Sequence, residues 1–101
     1  MAIIIGTYIL DIFIPDSQSL KGKRFILKRI FDRIRSKGFN ISISEVDHND
    51  KWQRSYIAVS TVGNNVGHVN STLDKALDFI ERSGLVEVIS ARLEIFTIGD
   101  I

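Results

Sequence analysis

The hydrophobic pattern of the chain opens with a strand that is apolar on both faces. Between positions 2 and 14 nearly every residue is apolar or β-branched, and Pro15 ends the run. Because successive strand residues point to opposite faces, this run places large apolar side chains on both sides of a sheet. Such strands are usually buried on both faces. We therefore expect the second face of this strand to be covered as well as the first.

Two further stretches have the three-to-four-residue spacing of amphipathic helices. Ser17 or Ser19 is a candidate N-cap of the first helix, and Gly38 lies just beyond its end. The second helix follows Asn64 and Asn65, either of which can cap it. The helices are predicted over 19–37 and about 66–83, with buried stripes made of Leu20, Leu27, Ile30, Phe31 and Ile34 and of Val66, Val69, Leu73, Leu77 and Ile80.

Three more segments have the composition and alternation of strands. Positions 39–47 alternate cleanly, as in a half-exposed edge strand; 52–62 returns after a turn at 48–51; and 86–98 forms the last strand. The order β-α-β-β-α-β is the ferredoxin-like, split-βαβ pattern. With right-handed crossovers, it predicts one α+β domain over 1–101. This domain is a sandwich in which a four-stranded antiparallel sheet carries both helices on one face.

The face of the sheet that the helices leave open is predicted to be apolar. Ile3, Ile5, Ile9 and Phe13 of the first strand share one face, and the other face, with Ile4, Tyr8, Leu10, Ile12 and Ile14, is apolar too. Large exposed apolar patches are rare on monomers, so we expect a second copy of the chain to cover it, giving a homodimer. The alternative is that long polar side chains of the neighbouring strands shield it.

Composition narrows the classes of protein. Of the 101 residues, 45% are apolar and 25% are charged, as in a soluble globular protein. Cysteine is absent, which excludes disulfides, thiolate zinc sites and cysteine nucleophiles. The apolar start contains Asp11 and Pro15 and lacks a basic leader region, so it is predicted to be a strand rather than a signal peptide or a membrane span. We expect a cytoplasmic protein with no membrane partner.

The net charge of +1 conceals an asymmetry between the first helix and the rest of the chain. Positions 17–37 hold eight basic residues and one acidic residue, Asp32, for a charge of +7, while the other positions hold five basic and eleven acidic residues, or −6. A basic helix on a nearly neutral protein is a candidate anion-binding surface, although most charge runs are solvated helix faces. Phe25 lies well off the apolar stripe of this helix.

Lys21, Lys23 and Arg24 lie near the start of the first helix, where the helix dipole disfavours positive charge. Lys23 also projects toward the apolar side. Strand alternation places Glu45 and Asp47 on the same side as the helix-facing residues. They are therefore expected to pair with Lys23 and Arg24. The alternative is that the cations bind a phosphate or an RNA backbone. The topology predicts that one end of the sheet gathers Ser19, Lys21, Lys23, Arg24, Glu45, Asp47, His48, Trp52 and Arg54.

Trp52, Arg54 and Tyr56 alternate onto one face of the third strand. An aromatic-basic-aromatic row can stack nucleic-acid bases, as in sheet-type RNA binders. The strand lacks the aromatic consensus of an RNA-recognition motif, however. Because both aromatic types are enriched at interfaces, packing in a dimer interface is the favoured interpretation.

Motifs of catalysis and metal binding are weak. The sequence has no nucleophile elbow, phosphate-binding loop or H-E-x-x-H segment. Glu45, Asp47, His48 and Asp50 contain metal-binding atoms, but a turn of this composition is usually solvated. General acid-base chemistry by Asp47 and His48 would need a pocket beside them. We predict no metal, no cofactor and no catalytic residue.

Two segments of the chain resemble the YlxP-like family, a bacterial group of unknown function. Positions 19–24, S-L-K-G-K-R, resemble the family's S-L-K-x-K-R helix start, and positions 45–54, E-V-D-H-N-D-K-W-Q-R, resemble its second motif. Gly22, Ser44 and the tail after Ile95 depart from the family pattern. The resemblance implies a small ferredoxin-like protein. It also implies an RNA-linked role, because members are often encoded near translation and ribosome-maturation genes. The motif positions outside the basic residues are Ser19, Glu45, Asp47, His48 and Gln53.

The leading hypothesis is a non-enzymatic RNA- or ribosome-associated protein. The second hypothesis is a homodimeric interaction or ligand-sensing module in which the charged cluster is structural. The third is a small-molecule enzyme that uses Asp47 and His48. In the first hypothesis the residues that contact phosphate are Lys21, Lys23, Arg24, Lys28 and Arg54, and Trp52 stacks on a base.

Overall fold

A computed structural model describes residues 2–99 of the protein and has the predicted order of elements. The four strands form one antiparallel sheet in the order β2-β3-β1-β4. The ferredoxin-like α+β prediction is therefore confirmed. The elements are β1 (Ile3–Phe13), α1 (Leu20–Ser36), β2 (Ser42–Asp47), β3 (Arg54–Gly63), α2 (Val66–Arg82) and β4 (Glu87–Ile98).

Local capping chemistry sets the ends of both helices. The Ser19 hydroxyl accepts a hydrogen bond from the Gly22 amide at 2.9 Å and so caps α1. Gly38, with a φ of 75°, follows the end of the same helix in the left-handed conformation that favours glycine. The Asn65 side chain caps α2 by accepting from the His68 amide at 3.0 Å. These predicted boundaries are confirmed.

The core lies between the sheet and the two helices. Leu10 and Ile12 of β1 are fully buried against it, as are Ile30 of α1 and Leu73 of α2. Gly6 permits the close approach of α2 to β1, because a β-carbon there would lie 2.6 Å from Val69 Cγ1 and 2.7 Å from Leu73 Cδ1. None of the helices among residues 2–99 is long and apolar enough to cross a membrane.

The open face of the sheet is apolar at one end. Ile5 of β1 lies between Val62 of β3 and Phe96 of β4, and Ile3 lies opposite Ile98. Val62 and Phe96 are 57% and 53% exposed. We call these five residues the apolar end of the open face. Toward its other end the same face becomes polar.

Two strands differ from their predicted form. β3 begins at Arg54 rather than at position 52, so Trp52 lies in the preceding turn and not in the strand row proposed for it. β2 contains a bulge between Glu45 and Asp47, which places Asp47 opposite Tyr56 on the open face. The expectation that Asp47 faces the helices is therefore wrong.

Candidate functional site

Lys23 is a buried cation at the start of α1. Its side chain is 1% exposed, and its Nζ lies 2.9 Å from Glu45 Oε2. The same ammonium donates to the carbonyl oxygen of His48 at 2.7 Å and to that of Arg54 at 3.4 Å. A buried charge is tolerated when it is paired and hydrogen-bonded in this way. Lys23 therefore cannot reach a bound phosphate, and the structure contradicts that part of the RNA hypothesis.

Glu45 is the negative partner that the sequence predicted for Lys23. It lies on the helix-facing side of β2, opposite Ile57. Its Oε2 atom also accepts a hydrogen bond of 2.6 Å from the hydroxyl of Ser55, which is completely buried. Among residues 2–99 no buried side-chain nitrogen or oxygen lacks a hydrogen-bond partner. The polar interior at this end of the sheet is thus fully satisfied.

His48 takes a left-handed backbone conformation, with a φ of 62°. Histidine is among the residues that tolerate this region better than most, but the conformation still carries a cost. The carbonyl of His48 is held by Lys23, and its amide donates to Asp47 Oδ1 at 2.7 Å. Its ring then packs on Tyr56 with 4.5 Å between ring centroids. The buried lysine thereby fixes the shape of the turn.

Arg24 and Asp47 do not form the expected pair. Asp47 faces the open side because of the β2 bulge, whereas Arg24 lies exposed on α1. In the part of the chain that the structure describes, neither residue makes an ion pair. Since the first turn of α1 also holds no acidic residue, the charges of Lys21 and Arg24 are available to an external anion.

Arg54 is held by a residue that the sequence reasoning missed. Its Nη2 lies 2.9 Å and 2.8 Å from the two carboxylate oxygens of Asp11, in a bidentate pair on the open face. Asp11 is the only charged residue in the apolar first strand, and that isolation was the signal for a partner. The positive charge of Arg54 is therefore largely offset within the protein.

The turn before β3 is tied to the end of β1. The Gln53 side-chain amide donates to the Pro15 carbonyl at 3.1 Å, and the Ile14 amide donates to the Gln53 carbonyl at 2.8 Å. Trp52, in the same turn, is 57% exposed. We call Ser19, Lys23, Glu45, His48, Gln53 and Arg54 the motif junction, because they join the start of α1 to the strand ends.

Exposed cations surround an exposed aromatic ring on the outer side of α1. Phe25 is 68% exposed and lies opposite the buried stripe of the helix. Lys21, Lys28 and Arg29 are three or four positions away and therefore lie beside it, and Arg24 flanks them. We call these five residues the basic face. Sequence reasoning selected Lys21, Arg24 and Lys28 but missed Phe25, whose position off the apolar stripe was the available signal.

Asp32 is the only acid beside the basic face on α1. Its carboxylate accepts from Lys28 Nζ at 2.6 Å and lies 3.5 Å from Arg35 Nη1. The hydrogen bond from Lys28 lowers the pKa of the Asp32 carboxyl group, and the charges of both cations act in the same direction. Exposed pairs of this kind are weak, so Lys28 can exchange Asp32 for another anion.

Most of the chain matches a known family. The family model described as "Protein of unknown function (DUF503)" matches residues 5–93. The chain belongs to the DUF503 family. It is 37% identical over 86 residues to the "Uncharacterized protein YlxP" of Bacillus subtilis (strain 168), which covers 85% of this chain and 92% of that protein. The resemblance that the two motifs indicated is therefore confirmed.

Solved structures show more distant likenesses. The de novo designed protein Foldit4 is 10% identical, with a TM-score of 0.44 and complete coverage of both chains. SnoaB, a cofactor-independent oxygenase from Streptomyces nogalater, is 12% identical with a TM-score of 0.49, covering 96% of this chain and 95% of that one. Identities and scores this low carry no functional information about the DUF503 protein.

Metal-binding side chains are spread apart in this DUF503 chain. Glu45 faces the helices while Asp47 faces the open side of the sheet, because the bulge reverses their parity. Among residues 2–99 no group of three or more histidine, aspartate or glutamate side chains is placed to hold a metal ion. A shallow depression of about 280 Å³ lies beside Tyr56, between Asp11 and Arg92, and His48 is not part of its lining.

Proposed function

We propose that this DUF503 protein is a non-enzymatic RNA- or ribosome-associated factor that contacts the RNA backbone through the basic face of α1. One observation carries the proposal: Lys21, Arg24 and Arg29 are exposed around the outward-facing ring of Phe25. Within residues 2–99 none of these three cations forms an ion pair with a carboxylate.

The chemistry of the basic face suits a single-stranded nucleic acid. Cations along an exposed helix gain affinity for phosphates by releasing condensed counterions. An exposed aromatic ring among them can stack on a base of any sequence. Phe25 supplies such a ring, and Lys21 and Arg29 lie one helical turn on either side of it. Both kinds of contact therefore meet on one surface.

Fluorescence anisotropy with a labelled single-stranded RNA tests this proposal. The variant Lys21→Gln/Arg24→Gln removes two cations from the basic face, and we expect its affinity to fall about tenfold or more at low salt. The matched control is Lys51→Gln/Arg92→Gln, which removes two exposed cations elsewhere on the molecule. Equal losses of affinity in the two variants would contradict a specific role for α1.

A second candidate function, a homodimeric interaction module, is favoured by the apolar end of the open face. Ile3, Ile5, Val62, Phe96 and Ile98 lie side by side across three strands. A contiguous apolar patch of this kind is typical of a protein interface, and a self-complementary patch suits a twofold dimer. Sedimentation equilibrium tests it: a protein that remains monomeric at submillimolar concentration would exclude this candidate.

A further inference from the structure

A groove runs between the C-terminal halves of α1 and α2, on the opposite side of the sheet from the open face. Its volume is about 470 Å³, within the range of about 300–1,000 Å³ that is common for small-molecule sites. α1 and the residues after it contribute one wall, and α2 contributes the other. The groove is lined by Arg33, Lys37, Phe39, Lys75, Phe79 and Arg82.

The floor of the groove is aromatic. The rings of Phe39 and Phe79 meet edge to face, with 6.3 Å between their centroids and an interplanar angle of 70°. Lys37 Nζ lies 6.0 Å from the centroid of the Phe79 ring, within the distance of a cation-π contact. An aromatic face flanked by an ammonium group can take a planar ring on one side and a phosphate beside it.

The walls of the groove are positively charged. Asp78 is the one acid in the lining, and its carboxylate is engaged by Arg82 Nε at 3.0 Å. Within the described residues Arg33, Lys37 and Lys75 make no ion pair. The helix dipole accounts for cations in the last turn of a helix, but Lys75 lies about two turns before the end of α2. The helix dipole therefore does not account for the charge of Lys75 on the wall of the groove.

We propose that this groove binds a phosphate-bearing nucleotide, with the base against Phe79 and the phosphate among Arg33, Lys37 and Lys75. Two sources supply this chemistry. One is a nucleotide of an RNA strand that continues along α1, and for this source the inference rests on the proposed function. The other is a free nucleotide, which needs no RNA binding. The charge of the walls and the aromatic floor are common to both.

The test is a titration of ¹⁵N-labelled protein followed by amide chemical shifts. The probes are adenosine 5′-monophosphate, inorganic phosphate and a short oligoadenylate RNA. Adenosine monophosphate is expected to shift the amides of 75–83 and of the end of α1, with inorganic phosphate binding more weakly. The variant Lys75→Glu is expected to lower the affinity for the nucleotide at least about tenfold, because it reverses an exposed charge that makes no ion pair within the described residues. Phe79→Leu removes the ring and keeps the site apolar.

The matched control is Arg92→Glu, a charge reversal on the open face, which is expected to bind the nucleotide as the wild type does. Shifts in the groove with both the nucleotide and the RNA support the RNA source. Groove shifts with the nucleotide, together with no shifts at any site with the RNA, support the free-nucleotide source and contradict the proposed function. Groove shifts with the nucleotide, together with RNA shifts confined to the basic face, support the free-nucleotide source and leave the proposed function standing. If the RNA shifts only amides of the basic face and the nucleotide shifts none, the groove does not bind a nucleotide. The proposed function is left standing by that result. Equal binding of phosphate and nucleotide also overturns the groove as a nucleotide site.

Discussion

At the scale of single residues, the buried side chain of Lys23 holds the turn at His48 in shape. Lys23 of α1 contacts the Glu45 carboxylate of β2, the backbone carbonyl of His48 in the turn that follows, and that of Arg54 at the start of β3. Its charge thus organises the start of α1, the end of β2 and the start of β3 together. This explains the positive charge so near the helix N-terminus, where the dipole alone would disfavour it.

Replacing Lys23 with methionine is expected to destabilise the protein by about 3 kcal/mol, because it leaves the carboxylate of Glu45 without its cation in a largely buried place. Urea denaturation measures the change. The matched control is Lys28→Met, which removes a cation from the exposed pair with Asp32 and should cost less than about 1 kcal/mol. Similar costs for the two variants would show that the Lys23 contacts contribute little.

Tyr8 makes the stability of the folded protein depend on pH in the alkaline range. Its hydroxyl donates to Asp74 Oδ1 at 2.6 Å, linking β1 to α2. This hydrogen bond, followed by burial and the charge of the carboxylate, raises the pKa of Tyr8 from 10.0 to about 12. The folded state therefore favours the neutral phenol. Its contribution to stability is complete below pH 10 and is lost as the pH rises through about 12.

Comparison with Tyr8→Phe isolates this contribution. The variant lacks the hydroxyl and should be less stable at neutral pH by about 1 kcal/mol. The difference in unfolding free energy between wild type and variant is expected to shrink between pH 10 and pH 12, measured by chemical denaturation at each pH. A difference that stays constant over this interval would mean that the Tyr8–Asp74 hydrogen bond does not control the titration.

At the scale of the elements, α1 has one buried side and one exposed, basic side. The buried stripe packs on the sheet, whereas Phe25 stands on the outer side, at 68% exposure. Helices bury their large apolar residues when packing alone decides the sequence. The exposed ring of Phe25 is the feature on which the stacking part of the proposed function rests.

Phe25→Ser is expected to separate binding from stability. Because the ring is exposed, the unfolding free energy should change by less than about 0.5–1 kcal/mol. The loss of a stacked base should weaken RNA binding by about five- to 150-fold, or about 1–3 kcal/mol. The control is Phe96→Ser, which removes an exposed ring from the open face. An RNA affinity that is unchanged in Phe25→Ser would show that the Phe25 ring does not stack on a base.

The elements also show which features a sequence can predict. The caps Ser19 and Asn65 and the glycine at position 38 act on adjacent backbone, so the helix ends could be predicted locally. The β2 bulge depends on how β2 pairs with β3, and no local pattern marks it. Asp47 was assigned to the wrong face for that reason.

The candidate site could be predicted where strand residues alternate regularly between the two faces of the sheet. It could not be predicted where the β2 bulge interrupts that alternation. The pairing of Lys23 with Glu45 followed from topology and alternation, since Glu45 precedes the bulge in β2. The pair of Asp11 with Arg54 joins residues 43 positions apart on neighbouring strands. Only the strand register brings them together, so the ion pair that offsets the charge of Arg54 could not be predicted from the sequence.

At the scale of the whole molecule, two surfaces of different chemistry lie on opposite sides of the sheet. The helical layer carries the basic face and the groove, and the open side carries the apolar end. A polyanion and a second copy of the chain would therefore not compete for one surface. The near-zero net charge hides this division, because the cations of α1 are offset by acids elsewhere.

Phe96→Asp is expected to keep the protein monomeric while leaving its RNA affinity within about twofold of the wild type, because the substitution lies across the sheet from α1. Sedimentation equilibrium and anisotropy measure the two properties on the same sample. A large loss of RNA affinity would show that the open face takes part in RNA binding. The basic face would then not be the only contact surface.

The salt dependence of RNA affinity tests the central claim most directly. For contacts by four cations of the basic face, the logarithm of the association constant should fall with the logarithm of salt concentration with a slope of about −3. In Lys21→Gln/Arg24→Gln the slope should become shallower by about 1.4, or about 0.7 for each cation removed. An affinity that does not change with salt, or a slope that the two substitutions leave unaltered, would contradict RNA binding by α1.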